Sequence, residues 1–136
     1  MATATEQRLA NDASKTAGAA LRTFFNIVRH WGLSTEQAMT LLGFDKRTRS
    51  TYFKWKHDPD SARLPKEKLE RLSYIFGIYK DLEVLLPKPE SADNWIHSPN
   101  AVALFSGGSA LDRMLSGNVA DLYVVRQYLD ALCGKS

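Results

Sequence analysis

The chain contains one cysteine, Cys133, in 136 residues. A single cysteine excludes an internal disulfide and any zinc site built on cysteine pairs, so nothing in the sequence points to secretion. No stretch reaches the roughly 18 apolar residues of a membrane span, and the first residues have no hydrophobic signal core. We therefore expect a cytoplasmic protein without a membrane segment.

Motifs for catalysis and metal binding are also missing. His30, His57 and His97 have no metal-ligand spacing, and there is no His-Glu-x-x-His sequence. Residues 106–109, Ser-Gly-Gly-Ser, precede a predicted helix and would present free N–H groups to an anion, but they lack the lysine and spacing of a phosphate-binding loop. We interpret them as a tight turn. The sequence predicts no enzymatic activity, no metal and no cofactor.

Positive charge is present, and it is concentrated in one region. The net charge is +3, yet residues 1–86 carry 14 Lys and Arg against 10 Asp and Glu, whereas residues 87–136 carry 4 against 5. Within residues 44–66, seven cations face three carboxylates. A basic half joined to a near-neutral half predicts two different partners.

Apolar residues recur with the 3.6-residue period of helices, and no segment reads as a convincing strand. We therefore predict an all-α fold. Apolar residues recur regularly at this spacing from about residue 16, which predicts a first helix over residues 16–31. Residues 1–15 are predicted to form a flexible N-terminal arm.

Three further helix starts follow along the N-terminal half. Ser34 and Gln37 have the spacing of a capping box, which opens a short helix ending at Gly43. Asp45 is placed to cap a third helix, extending to about residue 56. Pro65 opens a long helix that ends near residue 86. Its predicted apolar stripe consists of Leu69, Leu72, Ile75, Phe76, Tyr79, Leu82 and Leu86.

A Pro/Lys linker at residues 87–91 is the predicted boundary between domains over residues 16–86 and 87–136. In the second domain, Ser109 and Asp112 form another capping box, and Asn118 opens the last helix. The inward positions of that helix are predicted to be Val119, Leu122, Val125, Leu129 and Leu132. So small a module must have its apolar residues covered either by the long helix or by another protein.

A capped short helix, a turn containing Gly43 and then a basic helix is the layout of a DNA-binding helix-turn-helix. The second helix of this motif lies in the major groove, where its first turns touch base edges and its far end touches phosphates. The candidate DNA-binding residues are Lys46, Arg47, Arg49, Ser50, Thr51, Lys54 and Lys56. The alternative is a solvated basic face in an ordinary helical bundle, and Tyr52 and Trp55 are expected in the core.

The most distinctive sequence lies in the C-terminal half, between Trp95 and Gly117. A resemblance to known proteins is carried by residues 72–80 (LSYIFGIYK), Trp95 with Pro99-Asn100, residues 107–112 (GGSALD) and residues 121–131 (DLYVVRQYLDA). These segments resemble those of the Xre/MbcA/ParS antitoxins of type II toxin–antitoxin systems, and the similarity extends from about residue 18 to the C-terminal region.

The resemblance implies a function that composition and spacing do not supply. In that family an N-terminal helix-turn-helix binds the promoter of its own operon and represses it. A C-terminal domain binds and neutralises a RES-domain toxin, whose fold is related to ADP-ribosyltransferases and which destroys cellular NAD. The expected partners are operator DNA and such a toxin, with the chain forming a homodimer or a hetero-oligomer with the toxin.

Candidate toxin-binding residues fall into three groups. The apolar ones, expected to act as framework or anchor, are Trp95, Leu111, Leu115, Leu122 and Leu129. The polar ones, expected to set orientation, are Asn100, Asp112 and Arg126. The tail, expected to reach the toxin's active-site pocket, comprises Gly134, Lys135 and Ser136. Relatives often end in an Arg-Gly-Gly-like tail, and here the resemblance leaves Lys135 to supply the cation.

Two other interpretations of the sequence stay open at this point. The chain can be a stand-alone helix-turn-helix regulator whose C-terminal half serves dimerisation. It can also be an adaptor whose basic helix never touches DNA. A co-transcribed RES-domain gene favours the antitoxin over the regulator, and salt-dependent operator binding excludes the adaptor.

Overall fold

The computed structural model describes residues 3–135, without the side chains of residues 9–14. Residues 3–135 contain no β-strand, which confirms the predicted all-α fold. None of the helices in this range is both long and apolar enough to span a membrane. The helices are α1 Ala4–His30, α2 Thr35–Leu41, α3 Arg49–His57, α4 Lys66–Leu85, α5 Pro89–Trp95, α6 Ala110–Met114 and α7 Val119–Leu132. Short 3₁₀ turns occur at Lys46–Thr48, Pro59–Ser61 and Ala103–Phe105.

Helix α1 begins at Ala4, so the predicted start near residue 16 was wrong. The Thr3 hydroxyl accepts the N–H of Glu6 at 3.1 Å, and the Glu6 carboxylate accepts the N–H of Thr3 at 3.3 Å. This capping box starts the helix well before its packed part, because burial among the described side chains begins only at Ala17. The apolar pattern therefore marked where α1 packs rather than where it begins. The first two residues of the predicted arm lie outside the described residues.

Helix α4 is the central element of the fold, and helices from both halves of the chain pack against it. It contacts α1 on one side and α5 and α7 on others. Helix α7 lies parallel to α4. Arg126 of α7 bonds Ser73 of α4, and Lys135, which follows α7, bonds Asp81 nearer the C-terminal end of α4. A single hydrophobic core runs through both halves. The apolar residues of the C-terminal half are therefore covered largely within the chain, those of α5 and α7 against α4 and those of α6 against α7.

The structure corrects two details of the predicted apolar stripes. Leu69 of α4 is 47% exposed, whereas Arg71 and Asp81 are buried. Because α4 is packed on several faces, its buried residues spread beyond one stripe, and the two buried charges find polar partners within the protein. Leu132 of α7 is 55% exposed, since the last buried residue of that helix is Leu129.

Candidate nucleic-acid interface and partner-binding surface

Helix α2 is fixed at its start by the predicted capping box, which the structure confirms. The Ser34 hydroxyl accepts the N–H of Gln37 at 3.1 Å, and the Gln37 side-chain oxygen accepts the N–H of Ser34 at 2.9 Å. The helix ends at Leu41, and Gly43 turns the chain with a φ of +79°. This backbone conformation favours glycine, because other residues are strained there.

Asp45 caps the element that follows, as predicted, although its first turn is a 3₁₀ turn. One carboxylate oxygen accepts the N–H groups of Arg47 at 2.9 Å and Thr48 at 3.1 Å. Desolvation opposes ionisation of this carboxyl, but the bonds to Arg47 and Thr48 and the nearby guanidinium outweigh it and hold the pKa of Asp45 below its ordinary value. The cap therefore carries a full negative charge beside the first N–H groups of the turn.

Helix α3 has one face in the core and the other in solvent. Tyr52 and Trp55 are buried, and both pack edge-on against Phe44, with ring centroids 5.6 Å and 5.2 Å away. This confirms the expectation that the two aromatic residues belong to the core. The predicted DNA-binding residues are all exposed: Lys46, Arg47, Arg49, Ser50, Thr51, Lys54 and Lys56.

Arg49 differs from the other predicted DNA contacts, because its guanidinium is bound within the protein. Its Nη1 lies 2.5 Å from a carboxylate oxygen of Glu36 on α2, and its guanidinium carbon lies 5.1 Å from the ring centroid of Phe53. None of the ion pairs among the described residues involves Lys46, Arg47 or Lys54. Lys46 and Arg47 are thus better placed than Arg49 to reach bases. Sequence spacing gave no sign of the Glu36 contact.

The C-terminal half begins with α5, which starts inside the predicted linker, and continues with a loop and α6. The polar residues of this loop and of α6 bond within the fold. The Ser109 hydroxyl accepts the N–H of Asp112 at 3.0 Å, and the Asp112 carboxylate accepts the N–H of Ser109 at 3.0 Å. The Asn100 side-chain oxygen accepts the N–H of Val102 at 2.9 Å. The capping box is confirmed. Asn100 and Asp112, predicted to orient a toxin, have these oxygens engaged in local bonds.

The predicted apolar toxin contacts are mostly internal. Leu111, Leu122 and Leu129 are buried in the core, so they can act as framework but not as anchors, because a partner cannot touch them without unfolding the module. Trp95 and Leu115 are half-buried. Sequence reasoning passed over two large apolar side chains that are exposed in this region, Val84 at 62% and Tyr123 at 43%. Leu132 joins this exposed set.

Arg126 lies across α4. Its guanidinium donates to the backbone oxygen of Ser73 at 3.2 Å and lies 3.6 Å from a carboxylate oxygen of Asp130. Gly77 makes room for it, since a Cβ at that position would collide with Nε of Arg126. The predicted orienting residue therefore helps to dock α7 on α4.

The C-terminal tail folds back onto the protein. Gly134 has a φ of +80°, the N–H of Lys135 donates to the Asp130 backbone oxygen at 2.9 Å, and the Lys135 ammonium donates to Asp81 at 2.5 Å. The structure thus places the cation of Lys135 against α4, in contrast to the tail reaching out for a toxin pocket. Ser136, the last residue of the predicted tail, lies outside the described residues.

Two carboxyl groups meet at this ammonium. Asp81 is fully buried, and one oxygen each of Asp81 and Asp130 is buried without a hydrogen-bond partner. Desolvation raises the pKa of Asp81, but the interactions with Asp130 and Lys135 outweigh it and hold that pKa below its ordinary value, while the contact with Asp81 raises the pKa of Asp130. The two carboxyl groups therefore titrate as an interacting pair, with pKa shifts in opposite directions.

The geometry defines a class of protein. A helix-turn-helix with an exposed basic segment, residues 46–57, is joined through α4 to a helical C-terminal module. We call residues 46–57 the reading element. Residues 13–77 match the antitoxin Xre-like helix-turn-helix domain. Residues 81–135 match the antitoxin Xre/MbcA/ParS C-terminal toxin-binding domain. The chain belongs to the Xre/MbcA/ParS antitoxin family, and it is an antitoxin of a toxin–antitoxin system with a DNA-binding and a toxin-binding domain.

A similar protein is found in Sinorhizobium fredii (strain NBRC 101917 / NGR234). It is the uncharacterized protein y4oB, 48% identical over 116 residues, which cover 85% of this chain and 85% of that protein. The similarity therefore spans both domains rather than the helix-turn-helix alone.

The carboxyl pair predicts opposite pH dependences for two isosteric substitutions. In Asp130→Asn a neutral amide replaces the carboxyl group, which removes the repulsion between two carboxylates, and the amide can donate to Asp81. Because the pKa of Asp130 is raised in the folded state, wild-type stability from this group is lost as pH rises through that pKa. We expect the melting temperature of Asp130→Asn, relative to wild type, to increase from acid to neutral pH.

Asp81→Asn is the matched comparison. The pKa of Asp81 is lowered, so its contribution is present above the ordinary carboxyl pKa and is lost as pH falls. This variant is expected to be most destabilised at neutral pH and least at acid pH. Thermal unfolding followed by circular dichroism measures both profiles. If Asp130→Asn loses stability at neutral pH as Asp81→Asn does, the pKa of Asp130 is not raised in the folded protein.

Proposed function

We propose that this antitoxin neutralises a RES-domain toxin that degrades NAD, and that it represses its own operon by binding operator DNA. One observation carries the DNA part of the proposal: the Asp45-capped element 46–57 exposes its cations while its aromatic face is anchored in the core. The match to the toxin-binding domain supports neutralisation of a toxin. The resemblance of the C-terminal sequence to antitoxins of RES toxins supports a RES-domain toxin as the partner.

The DNA contacts divide by position along the reading element. Lys46, Arg47 and Ser50 lie in its first turns, where base edges are within reach in a helix-turn-helix complex. Arg47 has a fork of donors that fits guanine O6 and N7. Lys54 and Lys56, at the far end, suit phosphates.

One reading element contacts only a few base pairs, which is too little for useful specificity. We therefore propose that the operator is bound by a pair of chains, either a homodimer or two antitoxins assembled on the toxin. Their reading elements would lie about 34 Å apart, one turn of the duplex. The promoter should then contain an inverted repeat with that spacing.

Arg47→Ala and Lys54→Ala test the two kinds of DNA contact. Arg47→Ala should weaken operator binding by about 1–3 kcal/mol and relax specificity at one base pair, because a guanine contact is lost. Lys54→Ala should weaken all sequences alike and reduce the salt slope by about one, because a phosphate contact is lost. Gel-shift titrations at several salt concentrations, on operator and on shuffled duplexes, give both quantities.

Arg8→Ala is the control, since Arg8 is exposed in the first turns of α1 and its loss changes the net charge by the same amount. It should leave specificity unchanged. Equal affinity of wild type and Arg47→Ala for the operator, with no change in base preference, contradicts the proposed reading element.

Neutralisation is best tested with point substitutions in the full chain. Deleting residues 87–136 would strip α7 from α4 and uncover the core, so loss of function would not be informative. The exposed apolar residues Tyr123 and Leu132 lie in the toxin-binding domain and suit a protein contact. Tyr123→Asp combined with Leu132→Asp should abolish rescue of cells that express an adjacent RES-domain toxin, because a buried charge opposes docking.

The reciprocal variant carries Arg47→Glu and Lys54→Glu. It should lose promoter repression in a reporter assay and still rescue growth, because its substitutions lie on the DNA-reading element. NAD content of the cells reports the toxin's activity directly. If the apolar double variant is folded by circular dichroism and still protects cells fully, neither Tyr123 nor Leu132 is needed for toxin binding. If the wild-type chain neither rescues growth nor preserves NAD, the proposed RES partner is wrong.

A further inference from the structure

A buried arginine joins the helix-turn-helix to the C-terminal domain. Arg71 of α4 is 7% exposed. Its Nη2 donates to the backbone oxygen of Gly117 at 3.0 Å, its Nη1 lies 3.4 Å from the backbone oxygen of Leu41, and its Nε bonds Glu67. One planar side chain therefore contacts the end of α2 and the turn between α6 and α7.

The two carbonyl groups come from different kinds of backbone. Leu41 is the last residue of α2, where the carbonyl has no partner within the helix and a cation is favourable. Gly117 lies in the turn between α6 and α7, directly before the cap residue of α7. Because the donors of a guanidinium lie in one rigid plane, displacing either carbonyl changes the position that suits the other.

The turn of the helix-turn-helix also rests directly on this guanidinium. A Cβ added at Gly43 would lie 2.7 Å from Nε of Arg71, so there is no space between the turn and the side chain. Lys68, one turn earlier on α4, donates to the Gly43 backbone oxygen at 3.0 Å. The path of the chain from α2 into the DNA-reading element is therefore set from α4.

We propose that Arg71 is a positioning residue that couples the turn at Gly117, in the toxin-binding domain, to the DNA affinity of the helix-turn-helix. The inference rests on the proposed DNA-binding function. It follows that a conformational change at the α6–α7 turn is transmitted to the reading element without any contact between the two. By linkage, DNA binding biases that turn to the same extent.

The test uses two glycines of the C-terminal domain that differ in their connection to Arg71. Gly117 and Gly107 have φ values of +95° and +82°, and a Cβ at either would meet nothing within 4 Å. Gly117→Ala and Gly107→Ala thus impose the same kind of backbone strain without a steric clash or a change of charge. The probe is a duplex from the DNA immediately upstream of the gene, and fluorescence anisotropy measures its dissociation constant well below the melting temperature.

Gly117→Ala should weaken DNA binding by roughly five-fold or more, whereas Gly107→Ala should match wild type. In an Arg71→Lys background, where the planar bridge is lost, Gly117→Ala should have no further effect, which a double-mutant cycle reveals. A purely structural role would lower the melting temperature without this pattern of affinities in the folded protein.

Several results overturn the coupling. They are wild-type affinity in Gly117→Ala, an equal loss in Gly107→Ala, or the same loss from Gly117→Ala in the Arg71→Lys background. Should Gly117→Ala fail to fold, Arg71→Lys alone decides, since unchanged affinity in that variant excludes the bridge. Absence of DNA binding by the wild-type chain would instead overturn the proposed function, and the coupling with it.

Discussion

The buried guanidinium of Arg71 constrains the arrangement of both halves of this protein. Burying a cation is unfavourable unless its donors are satisfied, and here the acceptors come from α2, from the α6–α7 turn and from Glu67 of its own helix. Desolvation opposes ionisation of Glu67, but Arg71 and Lys68 hold the pKa of this carboxyl below its ordinary value, so it stays charged as a counterion. The helix-turn-helix and the C-terminal module must therefore be placed together before this site is complete.

The DNA-binding and toxin-binding domains share one hydrophobic core. Exposed cations lie on the element 46–57, and Val84, Tyr123 and Leu132 are exposed apolar side chains within the toxin-binding domain. Helix α4 lies between them, packed against α1 and α7. In such an arrangement a partner on one surface can influence the other through the packed helix, with no need for a flexible linker.

Helix starts within the packed part of the chain were predictable, because they depend on local hydrogen bonds; the equally local Thr3–Glu6 box was missed because no apolar repeat follows it directly. The capping boxes that begin at Ser34 and Ser109 and the cap by Asp45 are confirmed for this reason. The helix-turn-helix layout followed from them and from the distribution of cations. The family was predicted from the resemblance of the sequence, chiefly in the C-terminal half, to known antitoxins.

Features set by distant parts of the chain were not predictable. The pairing of Arg49 with Glu36 spans two helices, and the burial of Arg71 and Asp81 depends on carbonyl and amino groups far along the sequence. A charged residue on a helix reads as exposed until its partner is known. For the same reason, the family resemblance led us to expect an outstretched tail, whereas Lys135 is bound to α4.

The central claim is that DNA is read by the element 46–57 and that the α6–α7 turn is linked to it. Hydrogen–deuterium exchange of the full chain, with and without the upstream duplex, tests this most directly, because amide exchange reports local opening along the chain. The account predicts slower exchange in residues 46–57 and also around Gly117. Unchanged exchange throughout residues 46–57, with the duplex bound, would contradict it.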